Sequence, residues 1–401
     1  MYLSSTFVIS LLLASPEGVL GGSRLWEAKA PNKRTNPSPQ YPAIETLNTT
    51  SPFVKRAMSI ANRPSDVTAP RLWPNKKMRY CFERTGLSNQ QLTILRGLFE
   101  MAKEKWAMLG DHGFSYEEVN NDICTRDRTT VLRVTYSAQG RLMSSLGIPR
   151  VDQAANEANP EQAFPGPIMF LSDMAGIGQN DINANVGHEL GHAWGLAHEH
   201  QITKYWQKSP GDFDARWPSF VQGGEKHFAT EGFHCDKLSD YQAAHDRVLA
   251  KIAAAREKDD TASRKLAGEL QTDLDRLCFS QLAAAKHGFS AGEWLPYSHT
   301  INNVVDDRFD PDSLMMYPSR SGGTGNGDSR QIVMTYADGS EIPPRLTPSD
   351  MDVDRLVTLY GTSQSSTPGV VHTSKASKWL SKFKRSRGQS SRAGDTQAGL
   401  C

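Results

Sequence analysis

The chain has 401 residues, 38% of them hydrophobic and 22% charged, which suits one sizeable soluble domain with appendages. A formal net charge of +1 excludes a global attraction to nucleic acid or to membrane surfaces. The charge is uneven, because residues 365–401 carry seven Lys/Arg against one Asp and leave −5 on the remainder.

The first element is the apolar run Phe7–Ala14. It is too short to span a bilayer and has the length of a signal-peptide core. No Lys or Arg precedes it, so the α-amino group supplies the positive end, and the small residues Gly21 and Gly22 follow. Residues 1–22 are therefore expected to be a signal peptide and the protein to be secreted. No other segment approaches transmembrane length, so no stable membrane insertion is expected. Residues 23–66 are rich in Pro, Asn, Ser and Thr and lack periodicity, which reads as a pro-segment. Lys33-Arg34 and Lys55-Arg56 are dibasic pairs open to processing, and Asn48-Thr49-Thr50 is a glycosylation acceptor. Further on, Pro165-Gly166-Pro167 followed by Ile168–Leu171 reads as a turn and a buried strand.

Residues 188–199 read His-Glu-Leu-Gly-His-Ala-Trp-Gly-Leu-Ala-His-Glu, an H-E-x-x-H-x-x-G-x-x-H-E string. At ordinary composition chance gives the first eleven positions of this pattern on the order of once in 10⁴–10⁵ chains of this length. Asp181 is a helix cap, and Ile182, Val186, Leu190 and Ala193 form an apolar stripe at helical spacing. His188 and His192 then share one face a turn apart, and Glu189 is rotated by about 100° beside them. Gly195 ends the helix, and the reversed chain brings in His198 as a third ligand. Three imidazoles suit one catalytic Zn²⁺ and leave a position open for water. Glu189 is placed to serve as general base in peptide-bond hydrolysis.

A long segment, residues 207–297, follows. Tyr241, Ala244, Val248 and Ile252 recur at helical spacing, as do Leu266, Leu270, Leu274 and Leu277, with Asp259-Asp260-Thr261 between them as turn and cap. Two antiparallel helices are expected. Of the five cysteines, Cys81, Cys124, Cys235 and Cys278 allow three pairings. Sequence proximity favours Cys81–Cys124 and Cys235–Cys278, the second stapling the open end of the hairpin. Cys401 is the odd one, free or intermolecular. The hairpin reads as a structural decoration, with a cleft wall or partner surface as the alternative. His112, His227, His234, His245, His287, His299 and His372 have no ligand spacing and read as ordinary histidines.

Residues 312–318 read Asp-Ser-Leu-Met-Met-Tyr-Pro. A methionine turn after an extended histidine motif resembles the metzincin zinc proteases. Glu199 directly after the third histidine, with Ser313-x-Met315-x-Tyr317, resembles the astacin family within that clan. Leu72-Trp73-Pro74 with Met78-Arg79-Tyr80 resembles the family's first strand, and Thr347–Asp350 with Val353, Leu356, Leu359 and Tyr360 its last helix. The continuation His198-Glu199-His200-Gln201 is similar to fungal members. The resemblance implies an α+β, metzincin-like zinc protease over residues 67–362. It would have an N-terminal twisted mixed sheet with the active-site helix, and a C-terminal subdomain holding the methionine turn and the helical insertion. It implies that Met315 underlies the metal, and that Tyr317 stabilises the oxyanion. Set against the matrixin turn instead, the same string makes Met316 the floor residue and removes the tyrosine's role. The astacin resemblance implies that Glu199 receives the new N-terminus after activation, and the dibasic pair Lys55-Arg56 is the expected cleavage site, leaving Ala57 first. Asp66 is a candidate zinc-blocking aspartate, and an antiparallel edge strand for extended substrate lies at Leu142–Leu146 or Pro167–Leu171. The chain departs from the family in lacking an arginine shortly after Glu199, in its cysteine positions and in the long insertion.

Residues 363–401 read as a disordered basic tail, with Lys378–Arg385 as its amphipathic patch. The expected partners are protein or peptide substrates of a monomer. The reading from another class is a secreted, non-catalytic binding protein on a protease fold. The intact Glu189 and three histidines weigh against it.

Overall fold

Short strands rich in β-branched, aromatic and methionine side chains pair into one mixed sheet. They are β1 (Leu20–Gly21), β3 (Lys77–Phe82), β4 (Ser115–Glu118), β5 (Leu132–Tyr136), β6 (Met143–Ser145) and β7 (Ile168–Leu171), and β2 (Ser59–Ile60) lies apart from them. The sheet order is β1-β6-β7-β5-β3-β4. Strands β4, β3, β5 and β7 run parallel, whereas β6 is antiparallel to β7 and β1 is antiparallel to β6. The antiparallel strand thus falls within Leu142–Leu146, and Pro167–Leu171 holds an interior parallel strand. The computed structural model describes residues 59–60, 70–150, 166–202, 205–207, 227–258, 260–296 and 309–361, with the backbone alone at 20–21 and 303–304. Phe7–Ala14, both dibasic pairs, Asn48, Ala57, Asp66, His299, His372, the tail and Cys401 lie outside them.

Helix α1 (Asn89–Lys105) carries the parallel crossover from β3 to β4. A capping box between Ser88 and Gln91 starts it, and Leu95, Leu98, Phe99 and Ala102 form its buried stripe. Helix α2 (Asn121–Arg126) is tied to β3 by the Cys81–Cys124 disulfide. Helix α3 (Ile182–Trp194) is capped at its start by Asp181, whose carboxylate accepts from Ala184 N at 2.8 Å. Eleven of its thirteen residues are buried, all those from Ala184 onward, so beyond its first two residues it lies inside the protein. Its carbonyls are gripped from outside. The indole Nε1 of Trp106 donates to Gly187 O at 2.7 Å, and that of Trp73 to Ala193 O at 2.6 Å. The hydroxyl of Tyr360 donates to Trp194 O at 3.0 Å. Three large aromatics thus satisfy buried backbone groups and fix the helix axis at once.

Gly195 ends α3 at φ 110°, a conformation closed to other residues, and a Cβ there would meet Ile60 at 3.0 Å. Ile60 N donates to Gly195 O at 2.8 Å, so β2 is built onto this turn. Gly195→Ala is expected to cost about 1–3 kcal/mol in urea unfolding, because strain and overpacking coincide.

The segment after α3 has its own core. Helices α4 (Tyr241–Arg256) and α5 (Thr261–Asp275) pack on each other and bury Ala244, Val248, Ile252, Leu270 and Leu277. The Cys235–Cys278 disulfide closes the hairpin, so both disulfides pair as expected. One expected position differs: Leu266 is 48% exposed, and Ala267 faces inward instead. The inward stripe runs 267, 270, 274, 277, and Leu266 sits about 100° off it. Helix α6 (Gln281–Lys286) follows, with a 3₁₀ turn at Ser290–Glu293. Helix α7 (Asp350–Gly361) returns to the first core through Leu356, Leu359 and Tyr360. The architecture is α+β, with the mixed sheet and α3 in one core and the methionine-rich turn and inserted helices around a second. Among the described residues no helix is long and apolar enough to cross a membrane.

Candidate metal centre

His188 and His192 lie one turn apart on α3, and His198 follows the reversal at Gly195. The structure brings the three together, with one ring nitrogen of each within 4.8 Å of the others and every side chain fully buried. Nδ1 of His188 donates to Leu314 O at 2.9 Å, and Nδ1 of His192 to Leu196 O at 2.8 Å. Nδ1 of His198 faces Gln201 Oε1 at 2.6 Å. A carbonyl oxygen only accepts, so each Nδ1 carries a proton, and in the neutral imidazole each Nε2 then presents a lone pair. Nε2 of His192 and Nε2 of His198 lie 3.1 Å apart. Two nitrogen lone pairs at that distance suit a shared cation. Two ligands of a tetrahedral zinc, each about 2.0–2.1 Å from the ion, would lie about 3.3 Å apart. The donor set and its spacing therefore fit Zn²⁺.

Beneath α3, a Cβ on Gly191 would fall 2.6 Å from Met315 Sδ and 3.0 Å from Trp106. The glycine lets the methionine sulfur approach the helix between the two histidines. Met315 belongs to the α3 core, whereas Met316 packs into the second core. Of the two methionines, Met315 is the one under the helix. Glu189 is buried on α3 beside His188. Tyr317 is buried with its ring centroid 4.6 Å from that of His198 and 5.8 Å from that of His188. Glu199 is buried, and its Oε1 accepts from Asp310 N at 2.9 Å.

Several residues of this environment carry no sequence signature. Asp352 on α7 accepts from Ser313 Oγ at 2.7 Å and from Leu314 N at 2.8 Å, so it pins the turn whose Leu314 carbonyl holds His188. Ser349 links the two carboxyls, its Oγ donating to Asp310 Oδ2 at 2.5 Å and its backbone N to Asp352 Oδ2 at 3.0 Å. His200 and Gln201 are also buried against the site. A polar residue three positions after the last histidine was the one available hint for Gln201.

Burial raises both carboxyls of this network. Asp352 is pushed up to about 7, first by desolvation and then by the Asp310 charge. Asp310 is raised chiefly by desolvation. Each binds its proton more tightly folded than unfolded, so between about pH 4 and 7 stability falls as pH rises. The metal-free protein is expected to melt higher at about pH 6 than at about pH 8. Asp310→Asn should lose much of that difference, as differential scanning calorimetry would read.

No family model matches the chain, and no curated protein sequence does. Seventeen chains of solved structure match it. One is high choriolytic enzyme 1, a hatching-enzyme zinc protease from the medaka fish Oryzias latipes, at 13% identity and TM-score 0.35. That match covers 75% of this chain and 98% of the other. Another is myroilysin, at 16% identity and TM-score 0.33, covering 76% of this chain and 98% of that one. Likenesses of this extent decide neither fold nor function.

Proposed function

We propose that the chain is a secreted, astacin-type zinc endopeptidase. The observation that carries the reading is the convergence of three buried imidazoles, each with its Nδ1 pinned by an acceptor, with Glu189 on the same helix. His188, His192 and His198 would hold the metal. Bound Zn²⁺ supplies Lewis acidity, lowering the pKa of water and polarising a carbonyl. Glu189 takes the proton of the attacking water and delivers it to the leaving amine. The Tyr317 hydroxyl donates to the developing oxyanion. The Ser313-x-Met315-x-Tyr317 turn with Glu199 supports the astacin over the matrixin form, and His198–Gln201 supports a likeness to fungal members.

Tyr317→Phe is expected to lower kcat about 10- to 1000-fold, since one oxyanion donor is removed. Wild-type kcat in that variant would assign the turn to the matrixin type.

The three histidines and Glu189 have no solvent exposure. Cleavage after Arg56 would release 23–56. Ser59 and Ile60 would stay with the enzyme, being buried against Gly195, Leu196 and Arg355. Strand β6 would bind extended substrate by strand addition. Loss of residues 1–22 would free the edge that β1 takes up. Digestion of an unfolded protein by the processed chain, with products sequenced by mass spectrometry, tests the endopeptidase reading. Internal cuts are expected, and trimming confined to chain ends would overturn it.

A further inference from the structure

The third histidine of the site is held differently from the other two. His188 and His192 hand their Nδ1 protons to backbone carbonyls. His198 hands its proton to a side chain, the amide oxygen of Gln201, at 2.6 Å. An amide can turn over and present its NH₂ group, which would force the opposite tautomer on the imidazole. Two contacts prevent this. Gln201 Nε2 donates to Gly292 O at 3.0 Å and to Leu295 O at 2.9 Å. Both partners are carbonyls and can only accept, so this end must be the NH₂ and the other end the oxygen. Two carbonyls thus fix the amide, and the amide fixes the proton on His198 Nδ1, which leaves the lone pair on Nε2.

Both carbonyls belong to the end of the inserted segment. The same stretch makes further contacts with this loop. Nε2 of His200 donates to Glu293 O at 2.8 Å, which leaves its Nδ1 to accept from Tyr317 N at 3.4 Å. The His200 ring stacks on His198 at 5.0 Å, and Trp294 lies 5.5 Å from His200 and 5.0 Å from Tyr317. Gln201 is 1% exposed, so water does not compete for its amide.

We infer that Gln201 is a positioning residue for the third metal ligand, and that residues 292–295 make the insertion a working part of the metal centre. The segment sets which tautomer His198 adopts and how its ring is aimed. It touches neither the metal nor the substrate. This inference rests on the zinc reading proposed above, and it departs from the reading of the insertion as decoration.

The test is zinc affinity, measured on the folded, full-length chain by competition with a chromophoric chelator. Gln201→Met fills the same space but offers His198 no amide oxygen, whereas Gln201→Glu keeps an acceptor oxygen and, protonated between the buried carbonyls, an O–H that donates to Gly292 O or Leu295 O. Gln201→Met is expected to weaken zinc binding by about 10- to 100-fold, and Gln201→Glu to stay within about threefold of wild type, as for an outer-shell partner of a metal-binding histidine. The cobalt-substituted Gln201→Met protein should also show a shifted ligand-field spectrum. Wild-type affinity in Gln201→Met overturns the inference, as does an equal loss in both variants. Should Gln201→Met fail to fold, Gln201→Glu decides: retained affinity supports the inference and lost affinity overturns it. A wild-type chain that takes up no zinc overturns the zinc reading, and this inference with it.

Discussion

Glu189→Ala is expected to leave a folded, zinc-loaded protein that does not cleave peptides. Glu189 follows His188 on α3, rotated too far round the helix to share its ligand position. The carboxylate is fully buried, so it acts in a site closed to bulk water. On the proposed mechanism it handles the proton twice, once from water and once to the leaving amine. Losing a general acid–base group costs about 10²–10⁴-fold, and here both transfers fail together. Alanine is a strong helix former and removes a buried charge, so the fold should not suffer. Zinc content by atomic spectroscopy should match wild type while turnover falls below detection. Unchanged turnover would remove Glu189 from the mechanism.

His192→Ala has the second large effect, and it acts on the metal itself. His192 sits centrally, with ring centroids 4.7 Å from both His188 and His198. Its Nδ1 also holds Leu196 O, so the substitution loosens the turn that delivers His198. Two imidazoles, one of them on a loosened turn, should bind zinc at least about 100-fold more weakly, since loss of an outer-shell partner alone costs 10–100-fold. Because a ligand that binds only the folded state raises stability, added zinc should raise the melting temperature of wild type. His192→Ala should show no such rise, and an undiminished rise would take His192 out of the ligand set.

How much of this was legible in the chain depended on how local each signal is. The zinc helix was readable because its cap Asp181, its stripe and its stop at Gly195 all lie within fifteen residues. The inserted hairpin was readable by periodicity, apart from Leu266, because only packing decides which of two adjacent positions faces inward. The two disulfides followed from proximity along the chain. Strand order was not readable, since pairing of β3 between β4 and β5 joins segments far apart, and periodicity carries no partner identity. The choice between Leu142–Leu146 and Pro167–Leu171 needed the direction of pairing. Around the metal, the residues that supply chemistry carry a spaced motif, and those that aim them do not. Asp352 reaches Leu314 from 38 positions away, and the carbonyl of Leu295 reaches Gln201 from 94. A backbone carbonyl has no side-chain identity to read, so these contacts leave no mark in the sequence.

The most direct test of the account is reversible chelation. The purified chain, cut after Arg56, would be assayed on casein, then stripped with a zinc chelator, then given back one equivalent of Zn²⁺. The account predicts cleavage that stops on stripping and returns with the metal. Cleavage indifferent to the chelator would contradict the metal's role. No cleavage by a folded, processed, zinc-loaded chain would contradict the enzyme and favour a binding protein on a protease fold.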